Sequence, residues 1–217
     1  MDTLDLILDA ALKLAAQRPW TTIGLAEIAR EANLSLASLA SVAAAKSDLI
    51  KAYARRIDRR LLASLEDDPV EGETHDRLFD LMLRRLELMG PDRAAIASIV
   101  EGSDWLSALA LGCESQGWTL IAAGLASDGL KADLHKLGLA KIQADALRVW
   151  ISDDDPGLAR TMAQLDRALR DAASLMQRVE RPLRMINALY QGLRAARKPA
   201  PAAARRPEDE PAYATAD

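Results

Sequence analysis

Ser35, Ser38 and Ser41 stand three residues apart, and Lys46 follows shortly after, all within TTIGLAEIAREANLSLASLASVAAAKSDLI at positions 21–50. On a helix that spacing sets the hydroxyls along one side. Hydroxyls and an ammonium group placed this way, with the small Ala37 between them, can hydrogen-bond to phosphate oxygens and base edges; this is contact chemistry, not catalysis. It reads bases weakly. Residues 35–45 hold no Arg, Lys, Asn, Gln or aromatic side chain, and a good bidentate base contact from such types discriminates by roughly 1–3 kcal/mol.

A second group is apolar: Met82, Met89, Trp105, Trp118, Trp150 and Met162. Large rings and flexible thioethers line small-molecule cavities, and at helical spacing they also fill plain cores. Few charged residues fall on the expected buried faces, so a molecule held there is expected to be apolar. Catalysis finds no footing. His75 and His135 lie far apart in sequence, and Gly90, Gly102 and Gly112 lack the strand–turn–helix setting of a phosphate loop. Cys113 is the single cysteine, which rules out an intrachain disulfide and a Cys-based metal cluster. Neither a cofactor nor an enzymatic activity is expected.

Helices must position these groups. Half of the 217 residues are hydrophobic but only 4% are aromatic, so the core rests on Leu and Ala, and strand-like alternation is scarce. The periodicity predicts a helix from Leu4 to Gln17 with Leu4, Ile7, Leu8, Ala11 and Leu12 on one face. A second helix, Leu25 to Glu31, has Gly24 as N-cap and Glu27 at its third position. Asn33 supplies a left-handed turn, and Ser35 caps a third helix that buries Leu36 and Leu39. Two short helices around such a turn form a helix-turn-helix. Ser47 is expected to cap a long helix carrying Leu49, Tyr53, Ile57, Leu61 and Leu65.

An acidic, turn-rich break at residues 66–73 separates a domain of residues 1–65 from one of residues 66–181, with 182–217 as a tail. Beyond the break come helices at 75–89 and 93–101, one capped by Ser103 or Asp104, and a long one ending at Ser152. Asp153-Asp154-Asp155-Pro156 reads as a helix start, with Asp155 as N-cap and Pro156 at the first position. The helix it opens carries Leu158, Met162, Leu165 and Leu169. Capping explains this acidic run better than a cation site does.

The net charge of −4 does not favour nonspecific nucleic-acid binding by the whole chain. No segment is apolar for long enough to span a membrane, so a cytoplasmic protein is expected. From Arg181 to Lys198 there are five basic residues and no acidic ones, with Leu183, Ile186, Leu189, Tyr190 and Leu193 near helical spacing. Such a basic amphipathic segment suits peripheral contact at the inner face of a membrane. Residues 199–217, rich in Pro, Ala and charge, are expected to be disordered.

The N-terminal pattern resembles the tetracycline-repressor (TetR) family of transcriptional regulators, through Ile7-Leu8-Asp9-Ala10-Ala11, Leu25-Ala26-Glu27-Ile28-Ala29 with Ala32, Ser35, and Lys46 through Leu49. The resemblance implies an all-α fold, a symmetric dimer and a ligand-binding C-terminal domain. The two long C-terminal helices would pair with those of a second copy through Ile142, Val149, Leu165 and Leu169. Departures fall in the recognition helix. Ala40 replaces a usual tyrosine, Ala43 an aromatic, Ala44 a proline, and Gly24 a hydroxyl residue. Residues 153–167 are similar to the TetR-like lipid-binding accessory proteins of ubiquinone biosynthesis, through Asp153, Pro156, Thr161, Ala163, Leu165, Asp166 and Arg167. The first resemblance implies a DNA-binding regulator controlled by an apolar small molecule. The second implies a membrane-peripheral accessory protein that holds an isoprenoid-like lipid and does not bind DNA.

Overall fold

Helix α1 (Thr3–Gln17) buries Ile7, Leu8, Ala11, Leu12 and Ala15, a stripe that recurs every three to four residues as a one-sided helix requires. A computed structural model describes residues 2–102 and 105–175, with backbone alone for 105–111. After α1, a single 3₁₀ turn at Trp20–Thr22 leads into α2 (Leu25–Glu31), α3 (Leu36–Ala40) and α4 (Lys46–Asp67). There follow α5 (Thr74–Leu88), a 3₁₀ turn at Gly90–Asp92, α6 (Arg93–Glu101), α7 (Trp105–Ala122) and α8 (Leu130–Ile151). Residues 159–175 are helical and are called α9. The fold is all-α, and no strand occurs among the described residues.

Met1–Ala173 form one compact unit, and a second begins at Ser174. A boundary at 65/66 is therefore not where the chain divides. The reason is packing: α1 lies against α6, and one apolar core runs from Ile7 through Met89 to Leu169. Ser98 on α6 ties the same seam by accepting the Trp20 N–H (2.8 Å) and donating to the Arg18 carbonyl (3.1 Å). The 181/182 boundary, and with it Leu183, Ile186, Leu189, Tyr190 and Leu193, lies outside the described residues.

A buried ion pair crosses the core between α4 and α5. Arg85 on α5 pairs with Asp58 on α4 and donates to Thr119 Oγ1 on α7 (3.2 Å), while Ser115 donates to the second Asp58 oxygen (2.8 Å). Next to them α7 and α8 run antiparallel in close contact. A Cβ on Gly112 would stand 3.3 Å from the Ala140 Cβ, and one on Gly117 would stand 3.8 Å from Lys136 Cε. As the number rises on one helix it falls on the other.

Two helix starts differ from expectation. Asp48, not Ser47, caps α4, because its Oδ2 accepts the backbone N–H groups of Ala44 (3.0 Å) and Ala45 (2.9 Å). Pro156 is not the first residue of α9. The Asp155 carboxylate accepts from Gly157 N (3.1 Å) and Ala159 N (3.1 Å), and Leu158 takes a left-handed φ of 53°. That turn ends the chain's extended run, and the helix begins one residue later. Ahead of the helix, buried Asp153 accepts both the backbone N–H (2.8 Å) and the hydroxyl (2.7 Å) of buried Thr161.

Candidate nucleic-acid interface and cavity

The link between α2 and α3 forms as the residues dictate. Asn33 takes a φ of 59°, and Leu34 N–H closes back on the Ala29 carbonyl at 2.9 Å. Such a left-handed exit ends a helix and satisfies its last carbonyls. At the start of α2, Glu27 accepts the Gly24 N–H (3.0 Å) and pairs with Arg18 (2.7 Å). The Gly24 N–H, with Arg18 beside it, holds the Glu27 carboxyl below its usual range. A side chain three residues on thus supplies the return half of a capping box by accepting the Gly24 N–H.

Of the α3 residues, Leu39 is buried and the others face outward to varying degrees. Leu36 is 56% exposed, contrary to expectation, and Leu39 alone anchors the helix. Ser35 accepts the Ser38 N–H (3.0 Å), the two hydroxyls lie 2.8 Å apart, and Ser41 donates to the Ser38 carbonyl (2.7 Å). All three hydroxyls are thus already bonded within α3. Ala37, Ala40 and Val42 are exposed beside them.

Lys46 is placed differently from a free surface cation. Its Nζ donates to the carbonyls of Trp20 (2.6 Å) and Ile23 (3.0 Å) and lies 4.6 Å from the centre of the Trp20 ring. Partial burial pushes its pKa down. Sequence reasoning had no signal for this, because the carbonyls belong to a segment more than twenty residues upstream.

Behind this face lies a cavity of about 390 Å³. Leu8 and Leu12 of α1, Trp20, Lys46, Leu49 and Tyr53 form one side; Met89, Ile96 and Val100 line another. Arg85, Ser115, Gln116, Gln143 and Leu147 complete the wall. Tyr53 donates to Asp92 (2.9 Å), and burial, reinforced by that carboxylate, pushes its phenol pKa up.

Among the six residues expected to line a pocket, Met89 does so. Met82 and Trp150 are buried in the core away from the cavity wall, Trp150 stacked beneath the Arg93 guanidinium at 5.1 Å. Trp118 is 49% and Met162 37% exposed, so both lie on the outside. The side chain of Trp105 is outside the described residues. Helical spacing marks an apolar position without saying which neighbour covers it, and α7 is apolar nearly all round. The sequence reading missed Tyr53, Arg85, Gln116 and Gln143. Its one available signal was a glutamine inside each of two otherwise apolar helix faces.

The expected dimer residues also need correction. Ile142, Leu165 and Leu169 are buried in the chain's own core and have no surface to give to a second copy. Val149 is half-buried. Among the described side chains, the large apolar residues that face outward on α7 and α8 are Trp118, Ile121, Leu130, Leu134 and Leu137. No helix among the described residues is long and apolar enough to cross a membrane.

No protein-family profile matches the chain, and no curated protein does. Solved structures do. A TetR transcriptional regulator from Nitrosomonas europaea ATCC 19718 superposes with a TM-score of 0.62 at 22% identity, covering 80% of this chain and 99% of that one. A TetR transcriptional regulator from Rhodococcus sp. RHA1 gives a TM-score of 0.58 at 18% identity, covering 77% of this chain and 93% of the other. The chain has the all-α fold of the TetR transcriptional regulators.

Proposed function

We propose that the chain is a dimeric DNA-binding transcriptional regulator whose cavity takes up an apolar small molecule. The observation that carries this reading is the shared wall. Trp20 and Lys46, which fix the start of α4 against the segment leading into α2, also line the cavity. A molecule that fits one arrangement of that wall better than another shifts the population between them, by as much as its differential affinity. Ser35, Ala37, Ser38 and Ser41 supply the DNA face, together with backbone N–H groups at helix starts. The second copy seats on the outward apolar faces of α7 and α8.

Selection of bound duplexes from a random pool tests it, followed by anisotropy titrations across salt concentrations. The expected result is enrichment of one two-fold-symmetric sequence. Its salt dependence is expected to be shallow, because the slope grows by roughly 0.9 per phosphate neutralised and α3 carries no cation. No enrichment at low salt rejects the regulator.

That cation-free face favours a second reading. In it the helix-turn-helix is structural alone, and the protein is a ubiquinone-type accessory that holds an isoprenoid-like lipid and touches the membrane through residues 183–193. Mass spectrometry of lipids extracted from the purified protein tests this, with a stoichiometric prenyl lipid as the expected result and none as the outcome against it.

A further inference from the structure

Two amides interrupt the apolar wall of the cavity. Gln116 on α7 is 1% exposed and Gln143 on α8 is also buried, yet Gln116 Oε1 and both amide atoms of Gln143 have no hydrogen-bond partner among the described residues. Buried polar atoms are nearly always bonded, and an unpaired set lining a cavity marks a place where a bound molecule completes the bonding. The Arg85 charge pairs with Asp58, which also accepts from Ser115 at 2.8 Å, while Arg85 Nε in the same wall is a further donor without a partner and calls for an acceptor on the bound molecule. Lys46, the other cation in the wall, commits two of its N–H groups to carbonyls at 2.6 and 3.0 Å.

Resting on the reading that the cavity binds an apolar molecule, we propose that Gln116 and Gln143 are its polar end and select an uncharged hydroxyl head, phenol-like, on an apolar body. The atoms fix the choice. An amide oxygen at Gln116 needs a donor, which a ketone or ether cannot give. Gln143 offers an N–H as well as an oxygen, so the head must also accept. A hydroxyl does both without the desolvation cost of a carboxylate.

The test titrates the full chain with 4-hexylphenol, hexylbenzene and 4-hexylbenzoate, followed by calorimetry. The phenol is expected to bind about tenfold more tightly than the hydrocarbon, and Gln116→Leu with Gln143→Leu to reduce that gap to nearly none. Equal affinity for phenol and hydrocarbon in the unmodified protein overturns the inference and leaves the cavity reading standing. A preference for the benzoate overturns it in favour of a charged head read by Arg85 or Lys46. Failure of all three to bind overturns the cavity reading and this inference with it. Thermal melting of Gln143→Met without ligand is a second check. Removing an amide that lacks partners is expected to raise Tm, and a lower Tm shows the amide bonded within the fold and rejects its role.

Discussion

Lys46 and Trp20 form one unit: the ammonium bonds to the Trp20 carbonyl at 2.6 Å and lies 4.6 Å from the centre of the Trp20 ring. The lysine that a TetR-like pattern offers to phosphate is here a strut between the start of α4 and the chain before α2. Any loss of DNA binding on its removal therefore mixes a lost contact with a displaced α3.

Lys46→Met is expected to lower stability by about 1–3 kcal/mol, from charge-assisted hydrogen bonds and a partly buried cation–π contact. Urea denaturation gives the number. An unchanged midpoint would mean that the ammonium is free in solution.

Asp153 gives a pH dependence. The Thr161 hydroxyl and backbone N–H hold its carboxyl below the usual value of 3.8. A depressed folded-state pKa stabilises the protein above the unfolded value and is lost as pH falls through the folded one. Asp153→Asn is therefore expected to melt well below the unmodified protein at neutral pH. The gap should close as pH drops from about 5 towards 2. A gap that widens on acidification would contradict the assignment.

Arg85→Met should be among the most damaging single changes. It leaves Asp58 charged and buried with Ser115 as its remaining partner, and breaking a buried pair in this way costs roughly 3–5 kcal/mol. The double change Arg85→Met with Asp58→Leu should recover much of that loss. Chemical denaturation of the two single variants and the double variant checks it, and simple additivity would deny the coupling.

The proposed dimer face separates two kinds of leucine and isoleucine. Leu134→Glu with Leu137→Glu is expected to give a folded monomer in sedimentation, since both side chains already meet solvent in the single chain. Ile142→Glu, at a position 7% exposed, is expected to unfold the chain instead. A dimer that survives the paired change places the second copy elsewhere.

Local chemistry was the legible part of the fold. Asn33, Ser35 and the Gly24–Glu27 pair declare their backbone roles within four residues, and the helices they bound stand as expected. Where two short-range options competed, reach decided. Asp48 outcompeted Ser47, and the Asp155 turn pulled Leu158 out of helical geometry before Pro156 could start one. The site was less legible because it depends on which helix covers which face. Ile142 and Leu165 look alike in sequence whether they meet another chain or their own core. Gln116 and Gln143 are informative only once their surroundings are known to be apolar.

The Ser98 tie between α6 and the chain around Trp20 bears on how such a protein could change over time or be engineered. An autonomous reading head can be moved from one protein to another with its specificity intact. Here the helix-turn-helix borrows α6 to cover α1, and residues 1–65 alone would lack that cover. The helix-turn-helix is therefore not a transplantable cassette. A hybrid that keeps its contacts must carry α6 as well, and variation in either half must be matched across that seam.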